Sequence, residues 1–204
     1  GDDAYTLSAR KVESYNGNFT INSGGLEIDS SDEESSWPAA IELTVGTFKM
    51  NGGNLFINFR SYSASANASY AITAWNVEFN GGTATITISS YAHGGATGIS
   101  TRNFTMTGGS VGVNAEARVS SAPASGISAS GATANANFYM DGGELRAEGW
   151  ASNAESYGIN WTADKTQNSL SIYGGKIEAT GQYRGLCSWA PIYIESAEVT
   201  AKAT

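Results

Sequence analysis

Phe48-Lys49-Met50-Asn51-Gly52-Gly53-Asn54-Leu55-Phe56-Ile57 alternates apolar and other residues on either side of a glycine pair, and the phrase occurs seven times. The copies start at Phe19, Phe48, Val77, Phe104, Phe138, Leu170 and Ile192, 22 to 34 residues apart. Spacing of that size marks a solenoid, in which each repeat supplies a unit that cannot bury its apolar side alone. Alternate residues point to opposite sides, so the phrase reads as two short strands joined at the glycines. Glycine suits that corner because it adopts φ > 0 and lets neighbouring backbones come close. The first and last copies soften the pair to Ser23-Gly24 and Ser196-Ala197, as terminal repeats do.

Between the phrases lies a second signal, a small residue followed by Ile or Leu. It occurs as Ala40-Ile41, Ala71-Ile72, Gly98-Ile99, Gly126-Ile127, Gly158-Ile159 and Gly185-Leu186. Each turn therefore holds three short strands. Stacked at about 4.8 Å per turn, position 1 becomes a ladder from Phe19 to Ile192, and position 3 runs through Ile21, Met50, Phe79, Met106, Met140, Ile172 and Ile194. Position 10 reads Ile28, Ile57, Ile86 and Val113, then shrinks to Ala147, Ala179 and Ala201. Outward positions fit the same alignment: Glu144, Lys176 and Glu198 alternate in sign, and Arg146 falls beside Glu178. No segment needs a helix. The expectation is an all-β, right-handed parallel β-helix of about seven coils, right-handed because parallel crossovers nearly always are.

Composition sets the bounds. A chain of 204 residues with 41% hydrophobic content can form one core, so residues 1–204 read as a single domain. The abrupt start and finish suggest a mature part or fragment of a longer surface protein. A net charge of −8 argues against nucleic acid as a partner. No apolar run reaches membrane-spanning length, so no membrane insertion is expected. The single cysteine, Cys187, has no disulfide partner and reads as a small buried thiol. Four N-x-Ser/Thr sequons, at Asn18, Asn67, Asn103 and Asn160, are what a Ser/Thr/Asn-rich chain produces by chance.

Reaction chemistry is thin. His93 is the only histidine and reads as a solvated loop residue; one Cys and one His exclude a zinc site. Asp141 and Glu195, at position 4 two coils apart, are the best carboxylate pair, at roughly 10 Å by strand spacing. That is near the upper limit for an inverting glycosidase, and Tyr173 stands between them. The ladder to which they belong begins Asn22, Asn51 and Asn80, and a stacked polar ladder is the plainer reading. The acidic run from Asp29 to Glu34 lacks the spacing of a calcium loop and reads as solvated. Neither a cofactor nor a metal is implied, and no catalytic residue is assigned.

Aromatic residues in the loops are the strongest functional signal: Trp37, Tyr62, Tyr70, Tyr91, Trp150, Tyr157 and Tyr183, with Arg184 beside the last. Loops at one corner of a solenoid share one side, and exposed rings there bind sugars by apolar contact with arginine stacking alongside. The competing reading folds the rings back over the core, and it applies equally to Trp75, Trp161 and Trp189.

The phrase followed by a Gly-Ile strand resembles bacterial extracellular β-helix surface proteins, especially carbohydrate-binding and adhesin-like ones, from about Phe19 to Ala203. The resemblance implies a non-catalytic surface module outside the cell, partnered by a polysaccharide or host-surface glycan. In carbohydrate-binding members the third strand carries Gly-Asp-Gly-Ile-Asp with calcium-ligating aspartates. Here it reads Ala96-Thr97-Gly98-Ile99-Ser100, Ala124-Ser125-Gly126-Ile127-Ser128 and Ser156-Tyr157-Gly158-Ile159-Asn160, without those aspartates, so calcium does not carry over. Two alternatives stand beside this reading. One is a polysaccharide-degrading enzyme, since lyases share the fold. The other is a structural subunit that self-associates head to tail through the open β-helix ends.

Overall fold

The computed structural model describes residues 6–33, 38–62, 67–129, 136–162 and 169–204. Seventeen strands and no helix occupy these residues, and every strand pairing is parallel. The chain is a parallel β-solenoid with three faces.

The first face stacks position 1 as the sequence predicts: Phe19, Phe48, Val77, Phe104, Phe138, Leu170 and Ile192 lie in one column. The second face begins one rung earlier, at Thr6–Ala9, and continues to Glu198–Ala203. The third face aligns Val12, Ile41, Ile72, Ile99, Ile127, Ile159 and Leu186. On the first face only the rungs of Phe48, Val77, Phe104, Phe138 and Leu170 have neighbours on both sides. The seven coils counted in the sequence therefore amount to about five fully stacked turns with an open rung at each end. The three strands are also less separate than the sequence suggests. Ala39–Met50 and Ser69–Phe79 run from the third face into the first, and Asn137–Ala151 passes through the glycine corner unbroken.

The corner shows why two glycines are needed. Gly53 has φ +78°, a left-handed conformation that side chains disfavour. Gly52 needs closeness instead: a Cβ there would lie 2.7 Å from the Asn22 carbonyl oxygen of the turn below. Stacking of the turns thus depends on backbone meeting backbone at every corner.

Aromatic packing inside the first face changes column where the phrase changes. Phe48 and Phe104 sit at position 1, but the rung between them has Val77 there and Phe79 at position 3. The rings still follow one another, Phe48 to Phe79 at 5.8 Å and Phe79 to Phe104 at 6.0 Å. Phe104 then stacks on Phe138 at 4.8 Å, and Trp161 closes the series edge-on at 5.5 Å. All five of these core rings are fully buried.

Two polar ladders run outside the core. Asn51 Nδ2 donates to Asn22 Oδ1 at 2.8 Å, Asn80 Nδ2 to Asn51 Oδ1 at 2.9 Å, and Thr107 Oγ1 to Asn80 Oδ1 at 2.9 Å. This is the stacked polar ladder expected at position 4. A second, not anticipated from the sequence, occupies the residue before the phrase. There Asn76 Nδ2 donates to Thr47 Oγ1 at 3.1 Å and Asn103 Nδ2 to Asn76 Oδ1 at 2.8 Å, and Ser169 Oγ donates to Asn137 Oδ1. The charged ladder is half as expected. Lys176 pairs with Glu198 across the rungs at 3.2 Å. Arg146 instead turns along its own strand to Glu148, and Glu178 pairs with Lys202. Residues two apart on a strand share a side, so an in-strand partner competes with the cross-strand one.

Candidate ligand-binding face

The outer side of the second face carries four adjoining depressions, of about 390, 310, 160 and 420 Å³ from the N-terminal to the C-terminal end. Together they make a shallow groove along the solenoid axis. Its middle section follows from one residue. Gly112 stands between Thr85 and Arg146 in the outward column, and the missing side chain opens the floor of two depressions. Phe56 and Trp150 expose apolar surface at opposite ends of the groove. Several of its charges are paired: Lys176 with Glu198, Glu178 with Lys202, and Arg146 with Glu148. Exposed pairs of this kind contribute little to stability. They matter more by leaving a surface of fixed, alternating polar groups.

At the corner following this face, Tyr62 and Tyr91 occupy equivalent places one rung apart and stack at 4.9 Å with ring planes 14° apart. Arg118 comes next in the column, its guanidinium 6.0 Å from the Tyr91 ring, and pairs with Glu116. Rings stacked at rung spacing cover each other's faces and turn their edges outward. The sugar platform expected of Tyr62 and Tyr91 is therefore an edge ending in Arg118, not a pair of open ring faces.

The other expected contact residues divide. Trp150 is exposed, on the groove side of the same corner. Tyr183 is exposed with the Arg184 guanidinium 4.7 Å from its ring, and Arg184 also donates to the Cys187 sulfur at 3.2 Å. Two expectations need correction. Tyr157 is only 8% exposed; its ring meets Tyr183 edge-on at 5.7 Å and its hydroxyl donates to the Glu155 carboxylate. Burial, then the Glu155 charge, push its phenol pKa well up. Tyr70 is half-buried in the third face, and burial raises its pKa as well. Both lie within strands, one rung-column of the third face, where a neighbouring rung covers the ring. Trp37 lies outside the described residues.

Asp141 and Glu195 flank Tyr173 along position 4, and Tyr173 is engaged with Tyr139 at 5.7 Å. Asp29 Oδ1 accepts from both Asn58 and Arg60. Among the described residues no three His, Cys, Asp or Glu side chains come together as a metal site would need. No described helix is long and apolar enough to cross a membrane.

Trp75 and Trp189 are the surface residues that the sequence reading left undecided. Strand parity separates them from Trp161. Trp161 follows the inward Ile159 by two residues and is buried; Trp75 follows Ile72 by three and faces out. Trp189, three past Leu186, is 61% exposed. Counting from the Gly-Ile pair would have found this.

No family model matches the chain, and neither the curated proteins nor the solved structures searched contain a similar one.

Proposed function

We propose that this chain is a non-catalytic module of a bacterial surface protein, outside the cell, which holds a polysaccharide or surface glycan along one side of a rigid rod. The observation that carries the reading is the groove centred on Gly112, bordered by Trp150 and by the Tyr62–Tyr91–Arg118 column. A groove parallel to the solenoid axis suits an extended polymer, because polar groups recur at rung spacing along it. Its apolar contacts come from Phe56 and Trp150, and the Arg118–Glu116 pair offers polar contacts at the edge. The resemblance to carbohydrate-binding and adhesin-like β-helix proteins supports the same reading.

Titration calorimetry against plant and mucin glycans tests it. A Cβ on Gly112 would meet nothing nearer than the Ala84 carbonyl oxygen at 3.9 Å, so Gly112→Leu fills the groove without disturbing the stack. Gly112→Leu and Trp150→Ala should each weaken binding at least ten-fold. If the parent chain binds no glycan, the module is a rigid spacer alone.

A further inference from the structure

The corner between the third and first faces lies away from the groove and carries a second constellation. Four successive rungs bring Tyr15, Val45, Trp75 and Arg102 to it; Trp75 and Arg102 share a column, while a bulge between Leu43 and Thr47 sets Val45 out of it. Val45 N–H donates to the Tyr15 carbonyl at 3.1 Å, and the pairs Ala74–Thr101 and Asn76–Asn103 bracket Trp75 and Arg102. Tyr15, Val45 and Trp75 are all exposed, Trp75 by 36%. The Arg102 guanidinium lies over the Trp75 ring, 3.6 Å from its centroid, closer than either of the two arginine–tyrosine contacts.

The backbone beneath this pair is braced. The Thr101 hydroxyl sits within bonding distance of the Trp75 carbonyl at 3.1 Å and the Asn103 carbonyl at 3.0 Å. Asn103 is itself fixed in the asparagine ladder through Asn76 at 2.8 Å. A stacked guanidinium keeps its in-plane N–H fork free for a planar acceptor. Arg102 uses none of that fork within the described residues.

Other arginines differ. Arg60, Arg118 and Arg146 are each neutralised by a carboxylate. Arg184 directs its donors to Cys187 and Tyr183, and Arg10 backs onto no ring. Two acids of the adjoining faces are already taken, Glu42 by Lys11 at 3.0 Å and Glu78 by Lys49 at 2.9 Å. Arg102 is thus a half-buried cation with aromatic backing and unused donors, in a chain with 19 acidic and 11 basic residues.

We infer that this corner is a binding site for a carboxylate-bearing sugar unit, its carboxylate on the Arg102 fork and its apolar side against the exposed edge of Trp75. The site is independent of the groove. Carboxylate and guanidinium meet in two parallel bonds, and the aromatic backing restrains the guanidinium before the ligand arrives.

The test follows the Trp75 indole N–H signal by NMR, assigned from Trp75→Phe, during titration with hexuronate oligosaccharides and with neutral oligosaccharides of equal length. The expected result is a saturable shift for the acidic series and at least ten-fold weaker binding for the neutral one. Arg102→Gln should abolish the shift. Arg102→Lys, which keeps the charge and loses the fork, should weaken it several-fold and decides the matter if the glutamine variant does not fold. Gly112→Leu should leave it unchanged, which separates this site from the groove. No shift, an equal response to neutral sugars, or undiminished binding by both Arg102 variants would overturn the inference.

Discussion

The turns around Phe59 and the turns around Gly149 carry the same phrase and fill their interiors in opposite ways. Along one inward column of the second face the residues are Phe59, Ile88, Ala115, Gly149 and Gly181. The neighbouring column shrinks alongside it, from Ile57 and Ile86 to Ala147 and Ala179. In the N-terminal turns side chains hold the second and third faces apart. In the C-terminal turns the backbones touch: a Cβ on Gly149 would lie 2.2 Å from the Tyr157 carbonyl oxygen. The apolar volume moves to the other end of the third face, where Trp161 lies buried against Phe138. The repeat fixes where residues stack, and the taper of their volumes sets how wide each turn is.

The largest effect should come from the wide turns. Phe59→Ala empties a site that no neighbouring backbone can close, at a cost of about 3–5 kcal/mol. Hydrogen exchange of the Asn54–Ser61 and Thr83–Ser90 strands is the suitable measurement, because solenoid turns can open locally. Protection equal to that of the parent would mean the width is not set by this ring. In the narrow turns the sign of the volume change reverses. Gly149→Ala adds one methyl and should cost about 1–3 kcal/mol by overpacking. Gly112→Ala, on the outer side of the same face, should be neutral. Equal melting temperatures for the two alanine variants would break the proposed convergence of the faces.

The asparagine ladder belongs mainly to the wide half and offers a smaller test. Asn80→Ala removes bonds to Asn51 and Thr107, with an expected loss of about 1 kcal/mol in a urea melt. No measurable loss would make the ladder a consequence of stacking, not a support for it. The smallest effect belongs to the narrow half and is one of pH. Tyr157 has its folded pKa raised above the usual tyrosine value of 10.0 by burial and by Glu155. The unfolded chain therefore releases this proton first, and stability falls as pH rises above about 10. Tyr157→Phe should flatten that alkaline slope, as read from melting temperatures between pH 9 and 11; an unchanged slope would assign it to other groups.

Most of the fold was legible because it rests on alternation and recurrence, both properties of the chain itself. Phe19 to Ile192, and Ile41 to Leu186, align as their places in the repeat require. The aromatic corner was legible only in part. Tyr62 and Tyr91 are equivalent in the repeat, so their stacking could be expected. The orientation of the rings depends on each having the other as its neighbour. Tyr157 looked like a loop residue but lies within the third strand, where the next rung and Tyr183 cover it. Trp75 and Trp161 looked alike until their parity relative to the Gly-Ile pair was counted. The groove had no sequence signal, since Gly112 stands in an outward position where glycine breaks no rule.

By itself the sequence determined the parallel stack, its core columns and its glycine corners, because side-chain alternation and backbone sterics act within a few residues. Tertiary structure alone decided the width of each turn, the groove over Gly112 and the stacking of Arg102 on Trp75. Those depend on which side chains from turns 22 to 34 residues apart come to lie against one another, and on the volume each leaves for the next.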